Sequence, residues 1–310
     1  MAVPNVGQII AVSYNAVLND ARKPANQWAD STYLMELDAQ GGLLRDSFGP
    51  QIEETLDYRR NPAGVIQSTE LQPLSLAKTE VFDAAQYSIA EVVEPITWTN
   101  KDEVQNPTIN QKIALVKNLI VNGIDSHDDL LEQYLFSTST NGLIGLQNLI
   151  ATTGLGTVGS IDSSANPFWR NVSVTYVDDT DIEAAMTVAW NTASKGSRSK
   201  MKPSMLVSDA ATNALFEGTQ VGLQRYGGQD FAAGAKSIMF KTAPYVFSQY
   251  GTSSIYMFNT KCLRLRVSKE FFRQQSDTIP LQNATGWTKR IYSAVQQTTN
   301  NRSRCAVVHV

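Results

Sequence analysis

Two histidines and two cysteines in 310 residues leave little material for the commonest catalytic and metal-binding chemistries. Cys262 and Cys305 lack metal-ligand spacing and are too few for a disulfide framework, so they read as reduced, structural thiols. A nucleophile triad needs a base, and only His127 and His309 could supply one. His127 falls near the expected end of a helix beside Asp128 and Asp129, where a solvated or capping imidazole is expected; His309 is one residue from the C-terminus. No catalytic residue, cofactor or metal is therefore expected. Charge is sparse as well: Asp, Glu, Lys and Arg make up 18% of the chain, against about 25% in an average domain. No run approaches the length of a membrane-crossing helix, so no membrane contact is expected. The first basic residue is Arg22, which argues against a secretory leader. Internal repeats and low-complexity tracts are absent.

What is present suits a folded chain with partners. Apolar residues make up 42% of the sequence, enough for a sizeable core in one large domain or two ordinary ones. A surface poor in charge is compatible with extensive contact, because the centres of interfaces are depleted in charge. The charges present are unevenly placed, with a net −7 over residues 1–100 and a net +7 over residues 261–310. The basic residues of the last segment are scattered among apolar ones rather than clustered in a tail. They read as faces complementary to the acidic end, within a subunit or between neighbours.

Residues 1–47 read as an arm with sparse apolar residues. A helical turn or two is expected around Trp28 to Leu37, stopped by Gly41-Gly42. Such a segment cannot form a core alone and must lie on something. Residues 48–98 read as extended, with acidic Glu53, Glu54 and Asp57, basic Arg59 and Arg60, and a turn at Asn61-Pro62-Ala63-Gly64. Residues 107–136 give the clearest helix. Asn106-Pro107 opens it, and Ile109, Ile113, Val116, Ile120, Ile124, Leu131 and Leu135 form one stripe. Gly123 is expected to mark a bend or break. Further on, Val172 to Val177 reads as a strand, and Thr180 to Glu183 as a capping box opening a helix with Ile182, Met186, Ala189 and Trp190 on one face. Met205 to Val207 reads as a buried strand, leading through Ser208-Asp209 into a helix that ends near Phe216. Val221 to Gly234 reads as a mobile loop, and Ser254 to Phe258 with Cys262 to Val267 as an antiparallel hairpin. In the second of these strands Arg264 and Arg266 face away from Leu263, Leu265 and Val267.

Gly154-Leu155-Gly156-Thr157-Val158-Gly159 matches a dinucleotide-binding pattern, with Asp178 farther on. That mechanism needs a helix directly after the glycines, and a polar, Pro-containing stretch follows instead; a loop is the better reading. Glu53-Glu54 and Asp178-Asp179 read as a solvated strand edge and a helix N-terminus. Lys195, Arg198, Lys200 and Lys202 could contact phosphate. However, no aromatic is interleaved, and cations are favoured after a helix end in any case.

The order of parts resembles the Hong Kong 97-type capsid fold of tailed-phage major capsid proteins, an α+β fold. Leu34 to Tyr58 resembles its arm-to-loop junction. Gly142-Leu143, Gly156 to Asp162 and Pro167 to Asn171 resemble its central signature, with Ser160 replacing a glycine. Tyr256 to Leu265 and Asn300 to Cys305 resemble its late strand pair and C-terminal segment. The resemblance implies an N-terminal arm (1–47), an extended loop over a neighbouring subunit (48–98), a spine helix with peripheral domain (99–165), an axial domain (166–270) and a return to the peripheral domain (271–310). It implies a non-enzymatic shell subunit forming hexamers and pentamers. Scaffolding, portal and decoration proteins would be its partners, with double-stranded DNA touched weakly and non-specifically. It also implies assembly in the bacterial cytoplasm and residence in the virion capsid. Glu53, Glu54, Asp57, Arg59, Arg60, Arg264 and Arg290 are the candidate subunit contacts. An encapsulin-like compartment is the alternative on the same fold, an oxidoreductase built on Gly154 to Gly159 is a remote one, and the long helix disfavours a β-rich adhesion module.

Overall fold

The computed structural model describes residues 31–58, 80–105, 109–195, 201–227, 238–282 and 284–310. In chain order it opens with helix α1 (Thr32–Ala39) and strands β1 (Leu43–Asp46), β2 (Ile52–Asp57), β3 (Phe82–Tyr87) and β4 (Ala90–Thr99). Helices α2 (Asn100–Gln105) and α3 (Ile109–Phe136) follow, then β5 (Ser139–Thr140), β6 (Leu143–Ile144), α4 (Leu146–Leu149), β7 (Thr157–Val158) and β8 (Ile161–Asp162). Next come β9 (Val172–Thr175), α5 (Ile182–Ser194), β10 (Met205–Ser208), α6 (Ala210–Gly227), β11 (Ile238–Phe240), β12 (Ala243–Phe247) and β13 (Ile255–Phe258). The chain closes with β14 (Leu263–Ser268), β15 (Gln274–Gln275), β16 (Ile279–Pro280), β17 (Gly286–Thr299) and β18 (Ala306–His309).

Two sheets organise these elements. In the first, β17 is the central strand, with β4 along one side and β14, β15 and β16 in succession along the other; β1 adds in parallel beyond β14. The second runs β11-β12-β10-β13-β18-β9. The chain passes from the first sheet to the second, back, and once more to the second at β18. Strands β2 and β3 form a separate antiparallel ribbon.

From Val116 onward the stripe on α3 packs as its spacing requires; the side chains of Ile109 and Ile113 lie outside the described residues. Val116, Ile120 and Ile124 meet Ile96, Trp98 and Ile291 of the first sheet, and Leu131 and Leu135 enter the main core. Of the bend or break expected at Gly123, a break does not occur, and the helix runs through it. A Cβ at Gly123 would stand 2.6 Å from Ile96 Cδ1, so the missing side chain is what lets the helix approach β4 closely. Asn106-Pro107 lies outside the described residues. At the other end of the arm region, α1 is stopped by Gly41 in a left-handed conformation (φ 69°), as expected. Its Tyr33, Leu34 and Leu37 are fully buried, with the Tyr33 ring edge-on to Phe136 at 4.8 Å.

Three further expectations need correcting. Strands β13 and β14 do not form a hairpin: β13 pairs with β10 and β18, whereas β14 pairs with β17 and β1. Asn259, buried at the crossing, receives the Cys262 and Leu263 amides on its carbonyl and donates its side chain to Lys202 O, so the short link turns between sheets. The capping box before α5 does not form. A 3₁₀ turn (Asp179–Asp181) already winds the chain at Thr180, which removes that residue from the boundary position where its hydroxyl could cap; Asp181 is the N-cap and makes no side-chain cap bond. The helix nevertheless buries Ile182, Met186, Ala189 and Trp190 as expected and ends at Lys195 with φ 45°. Finally, α6 continues past Phe216 to Gly227, so residues 221–227 are helical and not a loop. Backbone hydrogen bonding continues past the buried Phe216 because no proline interrupts it.

Gly123→Ala should destabilise the protein by about 1–3 kcal/mol from overpacking, despite a helix-propensity gain of about 1 kcal/mol. Adding Ile96→Ala should return part of that loss, read as non-additive changes in denaturant midpoint.

Candidate assembly surface

The last turn of β17 is polar and wholly buried. Gln296, Gln297, Thr298 and Thr299 are at most 1% exposed, and each ties down a different part of the chain. Gln296 donates to Ser88 O (2.6 Å) and Gly142 O (2.8 Å) and accepts from the Ile144 amide. Gln297 donates to Tyr33 Oη at 2.8 Å. Thr298 donates to Glu54 Oε1 at 2.9 Å, and Thr299 O accepts from Tyr87 Oη at 2.8 Å. Three residues on, Arg302 is fully buried and donates to the carbonyls of Leu149, Leu155 and Gly156. Burial holds the Tyr33 and Tyr87 hydroxyls well above the usual phenol range and lowers Arg302.

The β2–β3 ribbon is anchored on this hub. Ile52, Glu54 and Leu56 of β2 and Ala85 and Tyr87 of β3 form its inner, buried face. Arg266 Nη2 lies 2.7 Å from Glu54 Oε1, and its Nη1 lies 2.6 Å from Asp46 Oδ2, so one guanidinium joins ribbon, β1 and β14. At the ribbon's flank the Gln86 amide donates to Gly159 O at 3.0 Å. A Cβ at Gly159 would strike Ala85 at 2.7 Å, which explains a glycine with φ 59° there. The outer face carries Glu53, Thr55, Asp57, Phe82, Ala84 and Gln86, all exposed. Phe82 is 68% exposed, and no lysine or arginine stands among residues 51–58 and 80–87.

A second open surface lies on the first sheet. By strand alternation Arg290 and Tyr292 share the face of Arg266. Val93 stands opposite Tyr292 and Pro95 opposite Arg290, and the Phe271 ring lies 6.2 Å from that of Tyr292. Val93, Pro95, Phe271 and Arg290 are exposed.

No family profile matches the chain, and no curated protein matches it. Solved structures do. The capsid asymmetric unit of cyanophage A-1(L) superposes with a TM-score of 0.65 at 14% identity, covering 90% of this chain and 92% of that one. The capsid of Myoviridae phage XM1 gives 0.52 at 12%, over 87% and 90%. The SrpI encapsulin of Synechococcus elongatus gives 0.53 at 10%, over 86% and 84%. The fold is the Hong Kong 97-type capsid fold.

On that fold the expected contact residues separate. Glu53 and Asp57 are on the outer ribbon face and Arg290 on the open sheet face, all exposed, while Arg264 is half-buried on β14. Glu54 is 6% exposed and already paired with Arg266, so its charge is taken up inside the subunit. Arg59, Arg60, Arg198, Lys200 and the Asn61 to Gly64 turn lie outside the described residues. Gly154 to Gly159 forms a loop into the tight β7–β8 pair, with no helix after it; Gly156 O is one of the carbonyls held by Arg302. Both cysteines are buried and free, and burial raises both thiols, which leaves them unreactive. His127 is not solvated: it is fully buried, and neither ring nitrogen makes a hydrogen bond. The helix runs nine residues past it, so it sits against the core and not at an end. The hub itself was missed, because Gln296 to Asn301 is a run of six polar residues that reads as solvated; the only hint was the apolar alternation before it.

Arg266→Ala should cost about 3–5 kcal/mol in unfolding free energy, since it leaves the Glu54 carboxylate buried without its cation. Glu54→Gln should cost less, because the amide keeps the Thr298 bond and introduces no orphan charge.

Proposed function

We propose that this chain is the major capsid protein of a tailed bacteriophage. Copies assemble as hexamers and pentamers into an icosahedral shell around double-stranded DNA. The observation that carries the reading is the end-to-end likeness to the cyanophage capsid subunit, about nine-tenths of each chain, together with two open surfaces on one subunit that suit each other. The outer ribbon face offers Glu53, Asp57 and Phe82; the open sheet face offers Arg290 amid Val93, Tyr292 and Phe271. The ribbon of one copy lies on the sheet of the next. Phe82 buries apolar surface there, at about 25 cal/mol per Å², and the unlike charges set register more than strength. Repetition by symmetry turns such modest contacts into a closed shell.

In this reading the protein is structural and not an enzyme. Residues 1–47 are the arm, 48–98 the extended loop with the ribbon at its root, 99–165 the spine helix α3 and peripheral domain, 166–270 the axial domain and 271–310 the return to the peripheral domain. Scaffolding, portal and decoration proteins join during assembly in the host cytoplasm, and the shell touches DNA weakly and non-specifically. An encapsulin-like compartment is the second reading, favoured by the likeness to SrpI. Particles recovered with phage DNA support the capsid, and particles recovered with a protein cargo support the compartment.

Electron microscopy of the expressed chain, with its scaffold where one is needed, should show closed shells or capsomers; a monomer under every condition would overturn the proposal. Reversing Glu53 and Asp57 together to lysine should lower shell yield about tenfold or more, the equivalent of about 1.4 kcal/mol. The subunit's own melting temperature should not move, because both side chains are exposed.

A further inference from the structure

The cations after α5 do not stand alone in the fold. Lys195 ends that helix, and the Arg304 guanidinium donates to Ser194 O and to Ala193 O, so the two cations share the helix end. Asn259 donates its side chain to Lys202 O and accepts the Lys261 amide at 2.8 Å, which sets Lys202 beside Lys261. The Asn300 amide donates to Cys262 O at 3.0 Å and the Arg304 amide to Asn301 O at 3.2 Å, so the turn that carries Arg304 lies against the start of β14. Arg264, two residues along that strand, shares the face of the Cys262 side chain. Burial pushes the Cys262 thiol up, and Arg304 and Arg264 beside it act the other way. Segments far apart in the chain thus bring Lys195, Lys202, Lys261, Arg264 and Arg304 together.

Lys195 and Lys261 are exposed, and the other three are half-buried. Like charges gathered in this way favour an anion among them. Partial burial lowers the Lys195 ammonium, and the neighbouring Arg304 charge lowers it further. Among the described residues the carboxylate pairs are made by Arg266, Arg273 and His127, and none by these five cations. Glu36 is brought to this side by the Thr260 bond to Gln40 O, but its carboxylate is taken by the Gln40 side-chain amide at 2.8 Å.

We propose that this cluster is a phosphate-binding surface that meets the backbone of packaged double-stranded DNA. The inference rests on the capsid reading and deepens it by naming the surface. A phosphate chain needs only clustered cations. Residues 193–195, 201–204, 259–264 and 300–305 contain no aromatic residue. They offer no platform on which unpaired bases could stack, so a duplex suits them better than a single strand. A neighbour's ribbon would bring Phe82, which needs apolar surface to cover it, and Met201 is the exposed large apolar side chain that these segments offer. Contact through phosphates alone positions the duplex without reading its sequence.

The test uses the full-length chain before assembly, so that it reads apart from whether shells form. Anisotropy of a labelled random-sequence duplex should show weak binding that falls roughly a hundredfold between about 50 and about 200 mM salt, as expected where about four phosphates are neutralised. Lys195→Gln with Lys261→Gln should lower the log–log salt slope by about 2 and leave the melting temperature unchanged. Lys101→Gln with Lys269→Gln makes the same charge change at exposed positions on α2 and past the end of β14, and should leave the slope as it is. Equal losses in the two double variants would overturn the surface, as would the absence of salt-sensitive DNA binding. Tighter binding of polyglutamate than of DNA would overturn it too, and would mark the cluster as a contact for an acidic protein.

Discussion

A buried polar strand end is the constraint on which this subunit depends. Gln296 to Thr299 closes β17 inside the protein, where an unpaired amide or hydroxyl costs about 1–3 kcal/mol. Gln296, Gln297 and Thr298 each find a partner for a side-chain donor, on α1, on the ribbon, at the turn before β4 and on the β5–β6 pair, and Gln297 Oε1 alone of these amide and hydroxyl groups is left without one. Apolar packing alone could hold these segments in several registers; directional bonds select one. Arg302 does the same for the loop from Asn148 to Gly156, with carbonyls in place of a counter-charge.

This arrangement accounts for how an extended element can project from a small core. The β2–β3 ribbon has one buried face and one open face, and two strands alone are marginal in water. Its inner face is fixed by the Glu54–Arg266–Asp46 group and by Tyr87 on Thr299 O. The outer face thereby carries exposed acidic and aromatic residues, Glu53, Asp57 and Phe82.

Much of this was legible in the residues where a single periodicity ruled. The α3 stripe from Val116 onward, the buried face of α5, the all-buried β10 and the alternation of Leu263 to Val267 all packed as their spacing required. The errors arose where tertiary contact overrode a local rule. Gly123 read as a break because propensity counts only the helix itself, while the strand it touches lies a sheet away. Strands β13 and β14 read as a hairpin because their link is short, and nothing local reveals that it changes sheets. Glu54 read as solvated because Arg266, which neutralises it, is more than two hundred residues later in the chain. Glu53 and Asp57, with no such partner among the described residues, kept the exposed character the sequence suggested.

Hydrogen exchange of Gln296→Leu against wild type tests the hub most directly. That change leaves Ser88 O, Gly142 O and the Ile144 amide without their partner. The account predicts faster exchange confined to residues 82–92 and 139–150, with β10, β13 and β18 protected as before. A uniform rise across both sheets, or no local change at all, would contradict it.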